Sequence, residues 1–163
     1  ESPAFMWGFF YGNKESIMKT VIFDIDGTLA DIRHRRGYLD SERPDWRRFN
    51  EAMGDDTPNA PIVSLYKTLW ESGQYKIEVV TGRNERFRAV TETWFTWNEI
   101  PFANITMRPD NDYRPDNELK QGILEGLLAK GHGIAFAVDD RQQVVNMWRS
   151  NGITCLQCDV GDF

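Results

Sequence analysis

Hydrophobic positions along this chain follow two alternating rhythms. Short apolar runs, most of them rich in β-branched residues, occur at Val21-Ile22-Phe23, Ile77 to Val80, Asn104 to Met107, Ile134 to Val138 and Ile153 to Leu156. Runs of that length predict buried strands. Between them, apolar residues recur three and four places apart. The sets are Ile62, Leu65, Tyr66 and Leu69; Phe87, Val90 and Trp94, with Trp97 as a further candidate; Leu119, Ile123, Leu127 and Leu128; and Val144, Val145 and Trp148. This spacing predicts amphipathic helices. Thr57-Pro58-Asn59-Ala60-Pro61 marks the entry to the first helix and Gly73 its stop, and Asn151-Gly152 closes the last. The third begins around Asp116, with Lys120 in its first turns.

Strands alternating with helices imply a parallel sheet covered by helices on both faces, a three-layer α/β/α architecture. Polar residues then fall at matching places. Asp24 and Asp26, Thr81 and Arg83, and Asp139 and Asp140 each follow a predicted strand at its carboxyl end. Sheets of this kind bind ligands along that edge. Any one polar turn is weak evidence, but three in register, with Lys120 near a helix start, form a constellation.

The length of 163 residues suits one domain with a small insertion. That insertion, about residues 31–58, carries Arg33, Arg35, Arg36, Arg43, Arg47 and Arg48 among acids, Tyr38 and Trp46. It reads either as a salt-bridged surface or as a lid whose guanidinium groups meet phosphate, and its place just after the Asp pair favours the lid. The net charge of −6 argues against a general nucleic-acid coat protein but leaves room for a local basic patch. No apolar run approaches a membrane span. Cys155 and Cys158 lack the companions of a zinc site and read as reduced thiols, which favours an intracellular, cytoplasmic setting. Residues 1–17, crowded with aromatics, are expected to be an extension or expression remnant outside the catalytic unit of residues 18–163.

Four carboxylates meeting at one edge (Asp24, Asp26, Asp139 and Asp140) call for a hard cation, with Mg²⁺ the expected cofactor. A carboxylate nucleophile beside a second acid matches phosphoryl transfer through an aspartyl-phosphate. Asp24 is then the nucleophile and Asp26 the acid and base, while Lys120, Thr81 and Thr28 balance charge on the phosphoryl oxygens. The nucleotide-binding pattern G-x-x-x-x-G-K-[ST] is absent, so nothing in the sequence supports a kinase.

These residues resemble the motifs of the haloacid-dehalogenase-like (HAD) hydrolases. Asp24-x-Asp26-Gly27-Thr28 is similar to their first motif, Thr81 to the second, Lys120 to the third and Asp139-Asp140 to the fourth. The resemblance implies a Rossmann-like HAD fold with the Asp24 strand central and a small cap insertion after it. An Asp at position 26 implies a phosphatase or phosphomutase. Val21 to Ala30, Gly82-Arg83, Arg114-x-Asp116-x-x-x-Lys120, the run from Val138 to Arg149 and the closing Gly161-Asp162-Phe163 narrow it further. They resemble the phosphatase domain of phage-type polynucleotide kinase/phosphatase.

That likeness implies a 3′-phosphatase acting on DNA or RNA ends in repair, working alone or beside a separate kinase or ligase, in the host cytoplasm if phage-encoded. It implies phosphate contacts from Arg83 and from Arg35, which Arg33 and Arg36 flank, and further substrate-site roles for Gly82 and Asp116. It places the metal on Asp24, the Asp26 backbone carbonyl and a fourth-motif acid, with Asp140 favoured over Asp139. A phosphatase for small molecules, such as a nucleotidase, is the rival reading. A non-catalytic module that binds nucleic-acid ends is the third.

Overall fold

The computed structural model describes residues 18–40 and 42–161, so the N-terminal aromatic segment and the closing Asp162-Phe163 lie outside the described residues. Five strands form the main sheet: β1 (Thr20–Phe23), β4 (Lys76–Asn84), β5 (Ile105–Arg108), β6 (Ile134–Arg141) and β7 (Cys155–Gly161). Their spatial order is β5-β4-β1-β6-β7, and every neighbouring pair is parallel. The first described strand is therefore central and the later ones wind out both ways, which opens a crevice above the carboxyl end of β1.

Helices cover both faces. α3 (Ala60–Ser72) and α4 (Arg88–Trp97) send Tyr66, Trp94 and Phe95 against Val21, Phe23, Val79 and Val138. On the other face α5 (Asp116–Ala129) and α6 (Gln142–Ser150) pack Leu124, Val144, Val145 and Trp148 against Ile22, Val80 and Ala137. Strand alternation sorts the residues: Val21 and Phe23 of β1 enter one core and Ile22 the other.

The segment after β1 is closed at its base by a short antiparallel ribbon. β2 (Ala30–Asp31) pairs with β3 (Thr57–Pro58), and between them lie α1 (Arg33–Arg36), α2 (Trp46–Glu51) and a 3₁₀ turn (Ala52–Asp55).

Several local expectations need correction. β4 does not stop before Thr81 but continues through Gly82 and Arg83 to Asn84, with its pairing to β5 interrupted between Val80 and Asn84. β6 likewise continues through Asp139 and Asp140. Thr81, Arg83 and Asp139 stay in strand here because their side chains find partners within the protein. The last strand begins at Cys155 and not at Ile153. Trp97 and Leu128 are 78% and 50% exposed, while Phe95 and Leu124 are fully buried in their stead. The helix face that docks is set by the sheet's contours, which periodicity alone does not specify.

Candidate active site

Parallel register brings the acids together. Phe23 of β1 pairs with Val138 of β6, and the Asp24 N–H still bonds the Val138 carbonyl at 3.1 Å. Asp24 therefore lies beside Asp139. Lys120, one turn into α5, donates to Asp24 Oδ1 at 2.7 Å and to Asp139 Oδ2 at 2.9 Å, and stands 3.4 Å from Asp116. Its side chain has no exposed surface. Burial works against the ammonium charge, but Asp116, Asp139 and Asp24 outweigh it and hold Lys120 protonated well above its ordinary range.

The two acids of the Asp139-Asp140 pair differ in their bonding. Asp139 is satisfied by the protein: Oδ1 accepts from the Asp140 and Arg141 N–H groups, and Oδ2 from Lys120 and, at 3.4 Å, from Trp148 Nε1. Asp140 Oδ1 is buried with no hydrogen-bond partner. Space for this carboxylate is kept by two glycines. A Cβ at Gly27 or at Gly161 would collide with it, and Gly27 also holds a left-handed φ of 81° that favours glycine.

Asp24, Asp139 and Asp140 are the one group of this kind among the described residues. Each offers an oxygen within 4.8 Å of the others. Burial, then the Asp139 charge, pushes Asp140 up to about 7. Burial also raises Asp24 well above the usual carboxylate range, opposed by Lys120 and reinforced by Asp139, Asp140 and Asp116. An orphaned buried carboxylate oxygen within a cluster of acids is a donor set suited to a hard divalent cation.

Asp26 points to a second cluster. Its carboxylate accepts from Arg83 Nη2 at 2.7 Å and from Arg35 Nη2. Burial favours its neutral form, but Arg83 and Arg35 prevail and hold it ionised, far below the usual carboxylate range. Both arginines continue to Asp56, whose side chain is fully buried. Asp56 accepts from Arg35 Nε at 2.6 Å, Arg35 Nη2 at 2.7 Å and Arg83 Nη2 at 2.8 Å, and His34 Nε2 lies at 2.8 Å. Its backbone carbonyl takes the Trp94 indole N–H at 2.6 Å.

Asp56 is the main residue that sequence reasoning missed. Its only signal was an acid at the exit of an arginine-rich insertion. Arg35, expected to grip phosphate, instead lies fully buried behind Asp26, because a guanidinium taken out of water must find carboxylates.

Above these clusters opens a cleft of about 660 Å³ lined by Asp24, Asp26, Gly82, Arg83 and Asp116, with Arg86, Arg108, Arg114 and Arg141 around them. Arg108, also missed, donates to the Gly82 carbonyl at 3.0 Å and to Asp116 at 3.2 Å. Gly82 leaves room for Asp116, since a Cβ there would strike its carboxylate. None of the insertion's arginines lines the cleft; the insertion contributes Trp46, Phe49 and Asn50. Thr28 and Thr81 are fully buried. The Thr28 hydroxyl meets the Cys158 thiol at 3.5 Å, and Thr81 Oγ1 accepts from the Arg83 N–H at 3.2 Å. Both cysteines are free thiols, and burial pushes Cys155 up to about 12 and Cys158 up to about 11.

This parallel sheet, with acids at its central strand end and a lysine entering from the following helix, is the Rossmann-like α/β fold of the HAD hydrolases. A haloacid dehalogenase-like hydrolase of Streptococcus pneumoniae shares it, with a TM-score of 0.56 and 17% identity over 86% of this chain and 84% of its own. A HAD-family enzyme of Bacteroides thetaiotaomicron, solved as a mutant with magnesium and inorganic phosphate, shares it at 0.55, with 11% identity over 90% of this chain and 96% of its own.

The sequence profile of the polynucleotide kinase PNKP phosphatase domain matches residues 18–163, and the chain belongs to that family. It is similar to a chain of the Pnkp1/Rnl/Hen1 complex, with 32% identity, a TM-score of 0.75 and 91% of this chain covered. A second structure, of the Pnkp1/Rnl/Hen1 RNA repair complex, matches at 0.74 with the same identity and coverage. This chain spans 48% and 44% of those two longer chains.

Proposed function

We propose that this phosphatase domain removes 3′-phosphates from nucleic-acid ends in a Mg²⁺-dependent reaction that passes through an aspartyl-phosphate on Asp24. The observation that carries the reading is the orphaned Asp140 oxygen clustered with Asp24, which Lys120 bonds and which lines an arginine-rimmed cleft. Asp24, Asp140 and the Asp26 backbone carbonyl would hold the cation. Asp139, already engaged by four donors, orients Lys120. A bound cation supplies positive charge to the phosphoryl oxygens and keeps Asp24 ionised.

In this scheme Asp24 attacks phosphorus in line and the bond from phosphorus to the 3′ oxygen breaks. Asp26 gives its proton to the departing oxygen. Water then attacks the aspartyl-phosphate, Asp26 takes the water's proton, and inorganic phosphate leaves with Asp24 restored. Lys120 holds Asp24 in place throughout.

Before substrate arrives, Arg83 and Arg35 keep Asp26 ionised, a poor state for an acid. The incoming phosphate competes for Arg83, which lines the cleft beside Asp26. When Arg83 turns to it, Asp26 keeps Arg35 but loses one counter-charge, its proton affinity rises, and it takes from solvent the proton that the first step needs.

The 3′-polynucleotide substrate rests on the family and on likeness to a chain solved in an RNA repair complex. That setting favours work beside a separate kinase or ligase. The deciding assay compares phosphate release from a 3′-phosphorylated oligonucleotide with release from mononucleotides, in Mg²⁺ and in chelator. The expected result is faster release from the oligonucleotide and none in chelator. A preference for mononucleotides would establish a nucleotidase instead, and release from neither would mark a binding module.

A further inference from the structure

Trp94 and Trp148 are completely buried in the cores, but the cleft keeps two bulky aromatic side chains in the open. Trp46 is 56% exposed and Tyr113 85% exposed, and both line the cleft that holds Asp24. Gripping a phosphate group needs only charge and hydrogen-bond donors, which the arginines supply. Open aromatic faces beside that charge are suited to a flat partner, since every nucleobase has a π face to stack.

Both aromatics stand on fixed supports. Trp46 opens α2 directly after Asp45, whose carboxylate caps the helix by accepting from the Arg48 N–H at 3.0 Å. Phe49, one turn on and nearly buried, meets the indole edge to face, with centroids 5.8 Å apart and planes at 82°. The Arg35 guanidinium lies over the Phe49 ring at 4.2 Å and reaches on to Asp26. A base resting on Trp46 is thereby held at a set distance from the acid/base residue. Tyr113 sits in the loop between β5 and α5, which Arg108 pins on either side by donating to the Asp112 carbonyl at 3.3 Å and the Arg114 carbonyl at 2.7 Å.

We infer that Trp46 and Tyr113 form a stacking subsite for the base of the nucleotide that carries the scissile phosphate. The inference rests on the nucleic-acid reading above and deepens it. Selection of a nucleic-acid end then comes from two aromatic faces, and the insertion's arginines serve structure.

The test uses wild type, Trp46→Ala, Tyr113→Ala and the conservative Trp46→Phe. Substrates are a 3′-phosphorylated oligonucleotide and the same strand with an abasic 3′-terminal nucleotide. Removing the base should lower the wild-type kcat/KM about tenfold, mainly through KM, as expected for one base stacked on an aromatic side chain. In either alanine variant that base preference should shrink to within about twofold, while Trp46→Phe should keep most of it. A wild type indifferent to the missing base, or alanine variants that keep the full preference, would overturn the subsite.

A parallel pair, a 3′-mononucleotide and base-free ribose 3-phosphate, separates this from failure of the polynucleotide reading. If wild type prefers mononucleotides, that reading falls, yet loss of the base preference in the alanine variants would still locate the stack.

Discussion

At the scale of single residues, burial has opposite consequences for the charges of this site. Lys120 is secured by three acids, whereas Asp140 keeps an oxygen with no partner. The first arrangement is complete within the protein, and the second leaves an oxygen open to the proposed cation. Asp24→Asn should retain the fold by circular dichroism and lose phosphate release by on the order of 10⁴-fold, since an amide is no nucleophile here. Retained turnover would refute the nucleophile assignment. Asp56→Asn tests the other cluster. It leaves the buried Arg35 and Arg83 short of a counter-charge, so denaturant unfolding should show a loss of about 3–5 kcal/mol. A loss under about 1 kcal/mol would mean that Asp26 alone neutralises both arginines.

At the scale of elements, the site depends on how closely the loop after β1 approaches the ends of β6 and β7. Gly27 and Gly161 permit that approach to Asp140. Gly73, the cap of α3, offers a control, because its φ of 63° is also left-handed but open space surrounds it. Alanine at either position should cost about 1–2 kcal/mol in backbone strain. Gly27→Ala should in addition displace Asp140 and remove most of the activity, while Gly73→Ala should remain fully active. Equal activity in the two variants would show that Asp140 needs no fixed place.

Strand and helix order followed directly from periodicity, because each run had to bury its apolar side. Where β4 ends could not be read, since Thr81 and Arg83 look like turn residues until Asp26, Asp56 and the Thr81 hydroxyl supply their partners.

At the scale of the molecule, two sets of carboxylates respond to pH in opposite senses. Asp26 is depressed, so its contribution to stability is complete above the ordinary carboxyl range and is lost as pH falls below about 4. Asp24 and Asp140 are raised, Asp140 to about 7. Between about pH 4 and that value the folded protein retains protons that the unfolded chain has released, so stability without metal declines as pH rises. Mg²⁺ should replace those protons. Thermal melts are expected to show a larger Mg²⁺-induced rise in Tm at about pH 8 than at about pH 5. A rise of the same size at both would argue against cation binding at these acids.

The sequence by itself determined the order of strands and helices, the edge of the sheet where chemistry gathers, and the acids and lysine that meet there. Those properties follow from local spacing and from the rule that parallel strands place their carboxyl ends together. Only the tertiary structure decided how the charges are paired. It showed Arg35 locked behind Asp26, Asp56 joining both arginines, Asp139 satisfied and Asp140 left open. It also turned Trp46 of the insertion, and none of its arginines, toward the cleft. The reason is physical: a charge in a sequence carries no record of its desolvation, and its role is set by which counter-charges the fold brings within reach.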